Sequence, residues 1–195
     1  MEGSHFMNRD FPSIRGLVQD CQNSDASSKE RMYRTFYGYL MGVVLRYVPS
    51  SDDAEELVND SFMKIFKNIQ GFIGPEDPDS YARLFKGWMA KIASRTAIDH
   101  IRRQKSSFNT EEIEKVEKIP HAVQASVELE VADIMALVNQ LPENHKIVFN
   151  LHEVEGYTHE EIAKLIDIPV SSSRVFLTRA KSKLRALYAL RYSTC

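Results

Sequence analysis

The chain has 195 residues, 43% hydrophobic and 27% charged, with a formal net charge of −2 at pH 7. That length allows one medium domain or two small ones with packed cores. It holds no apolar run near the roughly 18 residues of a membrane span and no secretory leader, and Cys21 and Cys195 are too isolated for a disulfide framework or a CxxC site, so a reducing cytoplasm is expected.

Glycine and proline are few, at 8 and 7, and alternating strand patterns are hard to find, which predicts an all-α fold. The opening MEGSHFM (1–7) reads as an expression-tag remnant or disordered leader, with Met7 a plausible natural start. Residues 11–23 predict a short helix carrying Ile14, Leu17 and Val18, and Ser24 to Ser28 a polar break. Met32, Phe36, Leu40, Val43, Val44 and Tyr47 then mark one face of a helix over 29–48 that Pro49 should end. Asp52 with Glu55 has the spacing of a capping box, opening a helix to about Ile69 through Ala54, Leu57, Val58, Phe62, Ile65 and Phe66.

The segment GFIGPEDPDS (71–80) is a loop by its glycines and prolines. Residues 81–104 predict a long helix, or two in tandem, with Leu84, Trp88, Ile92, Ala97, Ile98 and Ile101 apolar. Trp88, in step with Leu84 and Ile92, reads as core rather than as a platform for a base. From Lys105 to about Ser126 large apolar residues thin out and Pro120 intervenes, as in a linker. Periodicity returns at Leu129, Ile134, Leu137, Val138 and Leu141, and Pro142 suits the start of another helix with Ile147, Val148, Leu151 and Val154 inward and Gly156 as its cap. Two helical domains follow, 8–105 and 128–192, joined by a flexible linker over 106–127.

The last fifty residues carry the sharpest local pattern. Thr158 with Glu161 forms a second capping box, and Ile162, Ala163 and Ile166 give the helix an apolar stripe. Asp167, Ile168 and Pro169 break it. A second helix begins near Val170, with Ser173, Leu177, Ala180, Leu184 and Leu187 on one face and Arg174, Thr178, Lys181 and Arg185 on the other. This is the pattern of a helix-turn-helix whose second helix enters the DNA major groove. An ordinary helical hairpin with a solvated basic face has the same periodicity. However, residues 170–192 hold six Arg or Lys and no acid in a slightly acidic chain, which favours a polyanion footprint.

Charge is segregated elsewhere too. The predicted helix over 52–69 opens with Asp52, Asp53, Glu55, Glu56 and Asp60, acids that also suit a helix dipole. The helix over 81–105 carries Arg83, Lys86, Lys91, Arg95, Arg102, Arg103 and Lys105 against Asp99. Two basic surfaces on tethered domains suggest two contacts on one polyanion, leaving the acidic helix for a protein partner. The pairs His152-Glu153 and His159-Glu160 lack zinc-motif spacing, and there is no phosphate loop or nucleophile elbow. The expectation is no catalytic residue, metal or cofactor.

Three stretches resemble one family in order and separation. DDAEELVNDSFMKIFKNI (52–69) is similar to the second-region helix of bacterial RNA polymerase sigma factors, and LFKGWMAKIASRTAIDHIRRQK (84–105) to the region after it. LPENHKIVFNLHEVEGYTHEEIAKLIDIPVSSSRVFLTRAKSKL (141–184) is similar to the fourth region. With only these two DNA-binding regions and a short linker, the chain looks like the compact extracytoplasmic-function (ECF) group. The resemblance implies a non-enzymatic cytoplasmic factor that binds core RNA polymerase at its clamp and flap, directs it to promoters and assists melting. An anti-sigma factor is a candidate further partner.

By the same resemblance, Asp53, Glu56 and Asp60 would face the core enzyme. Arg95, Asp99, Arg102 and Arg103 would serve the −10 element, and Ser171, Arg174, Val175, Thr178, Arg179 and Lys181 the −35 element. The loop at 71–80 is longer and more acidic than the family's, and Arg95 stands where Asn is frequent. Phe176 replaces a commonly basic residue and reads as packing, while Asp167 and Pro169 replace small turn residues. Without the resemblance, a stand-alone helix-turn-helix regulator or a protein-binding helical module would also fit.

Overall fold

The computed structural model describes residues 13–23, 26–104 and 131–192. The leader over 1–7, the linker over 106–127 and Cys195 lie outside the described residues. Those described form α1 (Ile14–Gln22), α2 (Ala26–Val44), α3 (Ser51–Asn68), α4 (Pro78–Gln104), α5 (Val131–Val138), α6 (Glu143–Phe149), α7 (His159–Ile166) and α8 (Val170–Tyr192), with a 3-10 turn at Ile69–Gly71 and a π-helical segment at Asn150–Val154. No strand occurs among them, as the composition predicts. They divide into two compact units, residues 13–45 with 50–96, and residues 46–49 with 97–192.

In the first unit α1, α2 and α3 pack together, burying Leu17, Val18, Met32, Phe36, Leu40, Val58, Phe62 and Ile65. The helices start where side chains replace missing intrahelical acceptors. Ser13 caps α1 by accepting the Gly16 N–H at 3.0 Å. Ser50 caps α3 by accepting the Asp53 N–H at 3.3 Å. The expected Asp52–Glu55 box is therefore not the cap, and Asp52 lies inside the first turn. Ser50 and Asp52 are both good cap residues, so local chemistry does not choose between them. Helix α2 begins earlier than the sequence suggests, with Ser28 fully buried, and stops at Val44, well before Pro49.

The buried stripe of α4 also differs from expectation. Tyr81, Phe85, Met89, Ala93 and Ala97 are buried, whereas Leu84 is 48% exposed. Phe72 selects this register. Its ring centroid lies 5.5 Å from that of Tyr81, 5.1 Å from Phe85 and 5.2 Å from Trp88. Trp88 thus packs on the core edge against Phe72 and Phe85, only half-buried, and not in a stripe with Leu84. Burial pushes the Cys21 thiol up, so this cysteine behaves as a small hydrophobe.

In the second unit α8 is the organising element, contacting α5, α6 and α7. Val138, Leu141 and Ala180 form a core cluster flanked by Phe149 and Leu184. Ile147, Val148, Leu151, Ile162, Ile166 and Leu177 are buried in the same unit. The helix through α6 widens into the π-helical segment, which ends at Val154 with Glu155 as its cap, and Gly156 follows with a φ of 71° that favours glycine.

Candidate nucleic-acid interface

Helix α7 is fixed at its start by the capping box the sequence predicts. The Glu161 N–H donates to Thr158 Oγ1 at 3.2 Å, and the Thr158 N–H donates to Glu161 Oε2 at 2.9 Å. At its end Asp167 adopts the left-handed conformation, φ 54° and ψ 56°, with its N–H bonded to the Ala163 carbonyl. This turns the chain through buried Ile168 into α8 at Val170. A short polar side chain is among the few besides glycine that tolerate such a φ.

The turn sets which face of α8 is outward. Ser173 and Ala180 are fully buried and Leu177 nearly so, while Ser171, Arg174, Val175 and Thr178 are exposed and Lys181 is half-exposed. The structure brings this predicted set onto one flank of the helix. Arg179 is the partial exception. It is half-buried with a buried Nε, which places it on the shoulder rather than the crest. Phe176 is 6% exposed and packs 5.5 Å from the His145 ring, the packing role its wheel position predicts.

Sequence reading missed the acids that face these cations. Glu160 Oε1 accepts from Arg174 Nη2 at 3.1 Å. Glu153 Oε1 lies 2.8 Å from Lys181 Nζ and 3.0 Å from His152 Nδ1. The hydrogen bond from Lys181 chiefly holds the Glu153 carboxyl below the usual range, its positive charge and that of His152 adding to the effect. His152 and His159 face one another with ring centroids 4.6 Å apart, and His159 Nδ1 is 2.9 Å from the buried Ser173 hydroxyl. Burial is the main cause that lowers the His159 pKa, followed by His152 and Arg174. The visible signal was the adjacency of acid and histidine in both pairs, which joins no three side chains into a metal site among the described residues.

The remaining predicted residues lie in α3 and α4. On α4, Arg95, Arg102 and Arg103 are exposed and Asp99 is half-buried. On α3, Glu56 and Asp60 are exposed, but Asp53 is half-buried beside its cap. Met63, 71% exposed, extends the row of Glu56 and Asp60. The loop before α4 is tied down from α1. Arg15 bonds the Pro75 carbonyl and lies 4.7 Å from the Tyr81 ring centroid, and Gln22 Nε2 donates to the Ile69 and Phe72 carbonyls at 2.9 and 3.1 Å. No helix among the described residues is long and apolar enough to cross a membrane.

This chemistry is cationic on an outward helix, which suits phosphate and base-edge contacts. Comparison with known proteins agrees. Residues 32–107 match Sigma-70 region 2 and residues 132–184 match Sigma-70, region 4, together well over half the chain. The chain is 27% identical over 183 residues to the ECF RNA polymerase sigma-E factor of Haemophilus influenzae, covering 87% of this chain and 92% of that protein. It is 25% identical over 181 residues to the RNA polymerase sigma-H factor of Pseudomonas aeruginosa, covering 86% and 90%. Among solved structures, the sigma factor RpoE of Bartonella quintana, in complex with the anti-sigma factor NepR, aligns with a TM-score of 0.46 at 17% identity, covering 82% of this chain and 95% of that one. The chain belongs to the sigma-70 family of RNA polymerase sigma factors, in its extracytoplasmic-function group, and directs core polymerase in promoter-specific transcription initiation.

Proposed function

We propose that the two regions divide the promoter and the polymerase between them. Residues 8–105 dock on the core through Glu56, Asp60 and the half-buried Asp53, and handle the −10 element through Arg95, Asp99, Arg102 and Arg103. Residues 128–192 read the −35 element through Ser171, Arg174, Val175, Thr178 and Lys181, with Arg179 at the margin. The segment 106–127 is the tether. The protein acts in the cytoplasm and is not itself an enzyme.

The observation that carries this reading is the sidedness of α8. Its buried face is anchored by Ser173, Leu177 and Ala180, so Arg174 and Thr178 stand on the outward face from the second turn. An Arg early in a recognition helix can pair bidentately with guanine, whereas Lys181, further along, is placed for phosphate. Arg174→Ala should therefore cost about 1–3 kcal/mol and relax preference at one or two −35 positions. Lys181→Ala should weaken all promoters about equally.

The test is transcription by holoenzyme, reconstituted from core polymerase and this chain, on single-base −35 variants. A uniform loss with Arg174→Ala would reduce it to a phosphate clamp. A gel shift with and without core addresses the whole function. Tight promoter binding by the chain alone would instead indicate a stand-alone regulator.

A further inference from the structure

We propose that Glu160 is a positioning residue for Arg174, setting the direction of its guanidinium and thereby the base preference at −35. The inference rests on the reading of Arg174 as a base-reading residue. Glu160 sits in the first turn of α7, whose start is locked by the reciprocal Thr158–Glu161 bonds. Its carboxylate accepts from one Arg174 nitrogen at 3.1 Å, bridging the two helices of the motif.

Both side chains are well exposed, at 62% for Arg174 and 59% for Glu160, so the pair does little for the fold. Its effect is geometric. Arg174 is long and loses rotamer freedom when it must present two N–H groups to a guanine edge. A single carboxylate contact occupies part of the five-donor fork and leaves the other N–H groups available. Held this way, the fork is partly ordered before DNA arrives.

Of the remaining charged and titratable groups nearby, His159 feels both Arg174 and Glu160 electrostatically. Lys181, Glu153 and His152 form a second pair and its flank, and His159 is held on Ser173. None of them replaces Glu160 as the acceptor at the Arg174 nitrogen.

The experiment uses holoenzyme carrying Glu160→Ala, Glu160→Gln or Arg174→Ala, with Lys181→Ala as the phosphate control. The readout is the ratio of transcription from the best and worst base at each −35 position. Glu160→Ala should lower that ratio about 5- to 10-fold at the same positions as Arg174→Ala, at the low end of the range of a lost specific contact. Glu160→Gln retains an acceptor oxygen and should stay within about twofold of the parent, a rescue that simple folding damage would not give. Lys181→Ala should leave the ratio unchanged while lowering total output.

An unchanged ratio in Glu160→Ala, where Arg174→Ala collapses it, overturns the positioning role and leaves −35 readout intact. Equal losses in Glu160→Ala and Glu160→Gln also overturn it, because charge rather than the hydrogen bond would then be at work. An unchanged ratio in Arg174→Ala removes the underlying reading and the proposal with it.

Discussion

Gly74 lies against the Tyr81 ring so closely that a methyl group at position 74 would come within 2.5 Å of the ring Cδ2 and 2.7 Å of Cε2. The ring has little room to yield. It is 6% exposed, Phe72 meets it edge-on at 5.5 Å, and Arg15 covers it at 4.7 Å. Gly74→Ala should therefore destabilise the protein by about 1–3 kcal/mol, as overpacking does. Ile73→Ala, at an adjacent residue that is 88% exposed, should stay within about 0.5 kcal/mol of the parent. Chemical denaturation of both variants decides the matter. A Gly74→Ala midpoint equal to the parent's would show that the loop rearranges freely around Tyr81.

Core docking is expected to run through the exposed acids of α3. Glu56→Lys with Asp60→Lys should lower affinity for core polymerase about tenfold or more, by placing like charges where a complementary surface is expected. The fold should be untouched because both residues are exposed. Asp53 is a poorer site for this experiment. It is half-buried in the first turn of α3, where an acid favours the helix dipole, so its reversal perturbs stability as well. The check is a pull-down with core alongside a melting curve of the free chain. Unchanged retention by core would move docking away from α3.

Promoter melting should depend on Arg102 and Arg103, the exposed basic residues in the last turn of α4. Cations there also suit a helix C-terminus, so single substitutions mix two effects. Salt separates them. Loss of two phosphate contacts should lower open-complex yield and flatten its dependence on salt, by about 0.7 to 0.9 in slope per contact. Permanganate reactivity of holoenzyme carrying Arg102→Ala with Arg103→Ala, followed across a salt series, gives both quantities. A slope equal to the parent's would confine the pair to a helix-capping role.

The parts of the fold legible in the sequence were those written in local chemistry. Thr158 and Glu161 stand three residues apart and bond reciprocally, and the inward face of α8 follows from the helical period alone. Where several local solutions compete, the sequence could not decide. Ser50, Ser51, Asp52 and Asp53 are all cap-forming types, and tertiary placement selects Ser50. In α4, Leu84–Trp88–Ile92 and Tyr81–Phe85–Met89 are both apolar stripes, and Phe72, arriving from the loop, chooses the second. The π-helical segment leaves no periodic trace that five residues could carry. The acids paired with Arg174 and Lys181 come from earlier elements, so no spacing along α8 reveals them.

Stability should fall as pH drops through the range just below neutrality, and His159 should be a principal cause. Its ring is half-buried, with Nδ1 2.9 Å from Ser173 Oγ and the His152 ring at 4.6 Å, while Arg174, Glu160 and Glu153 act on it electrostatically. Burial above all, then His152 and Arg174, sets its pKa below the ordinary 6.5, outweighing Glu160 and Glu153. The direction fixes the sign. Between the lowered folded value and 6.5 the unfolded chain binds a proton that the folded chain refuses. The contribution is therefore complete above about 6.5 and is lost as pH falls below it. Glu153 acts in the same direction, but its contribution is lost only as pH falls below its ordinary 4.5. Denaturation midpoints measured from about pH 7.5 down to about 5.5 should decline, and His159→Asn should flatten the decline. NMR titration of the His159 ring isolates its share from the chain's other five histidines among six in all. A midpoint at or above the ordinary value would mean that burial against Ser173 does not disfavour the imidazolium.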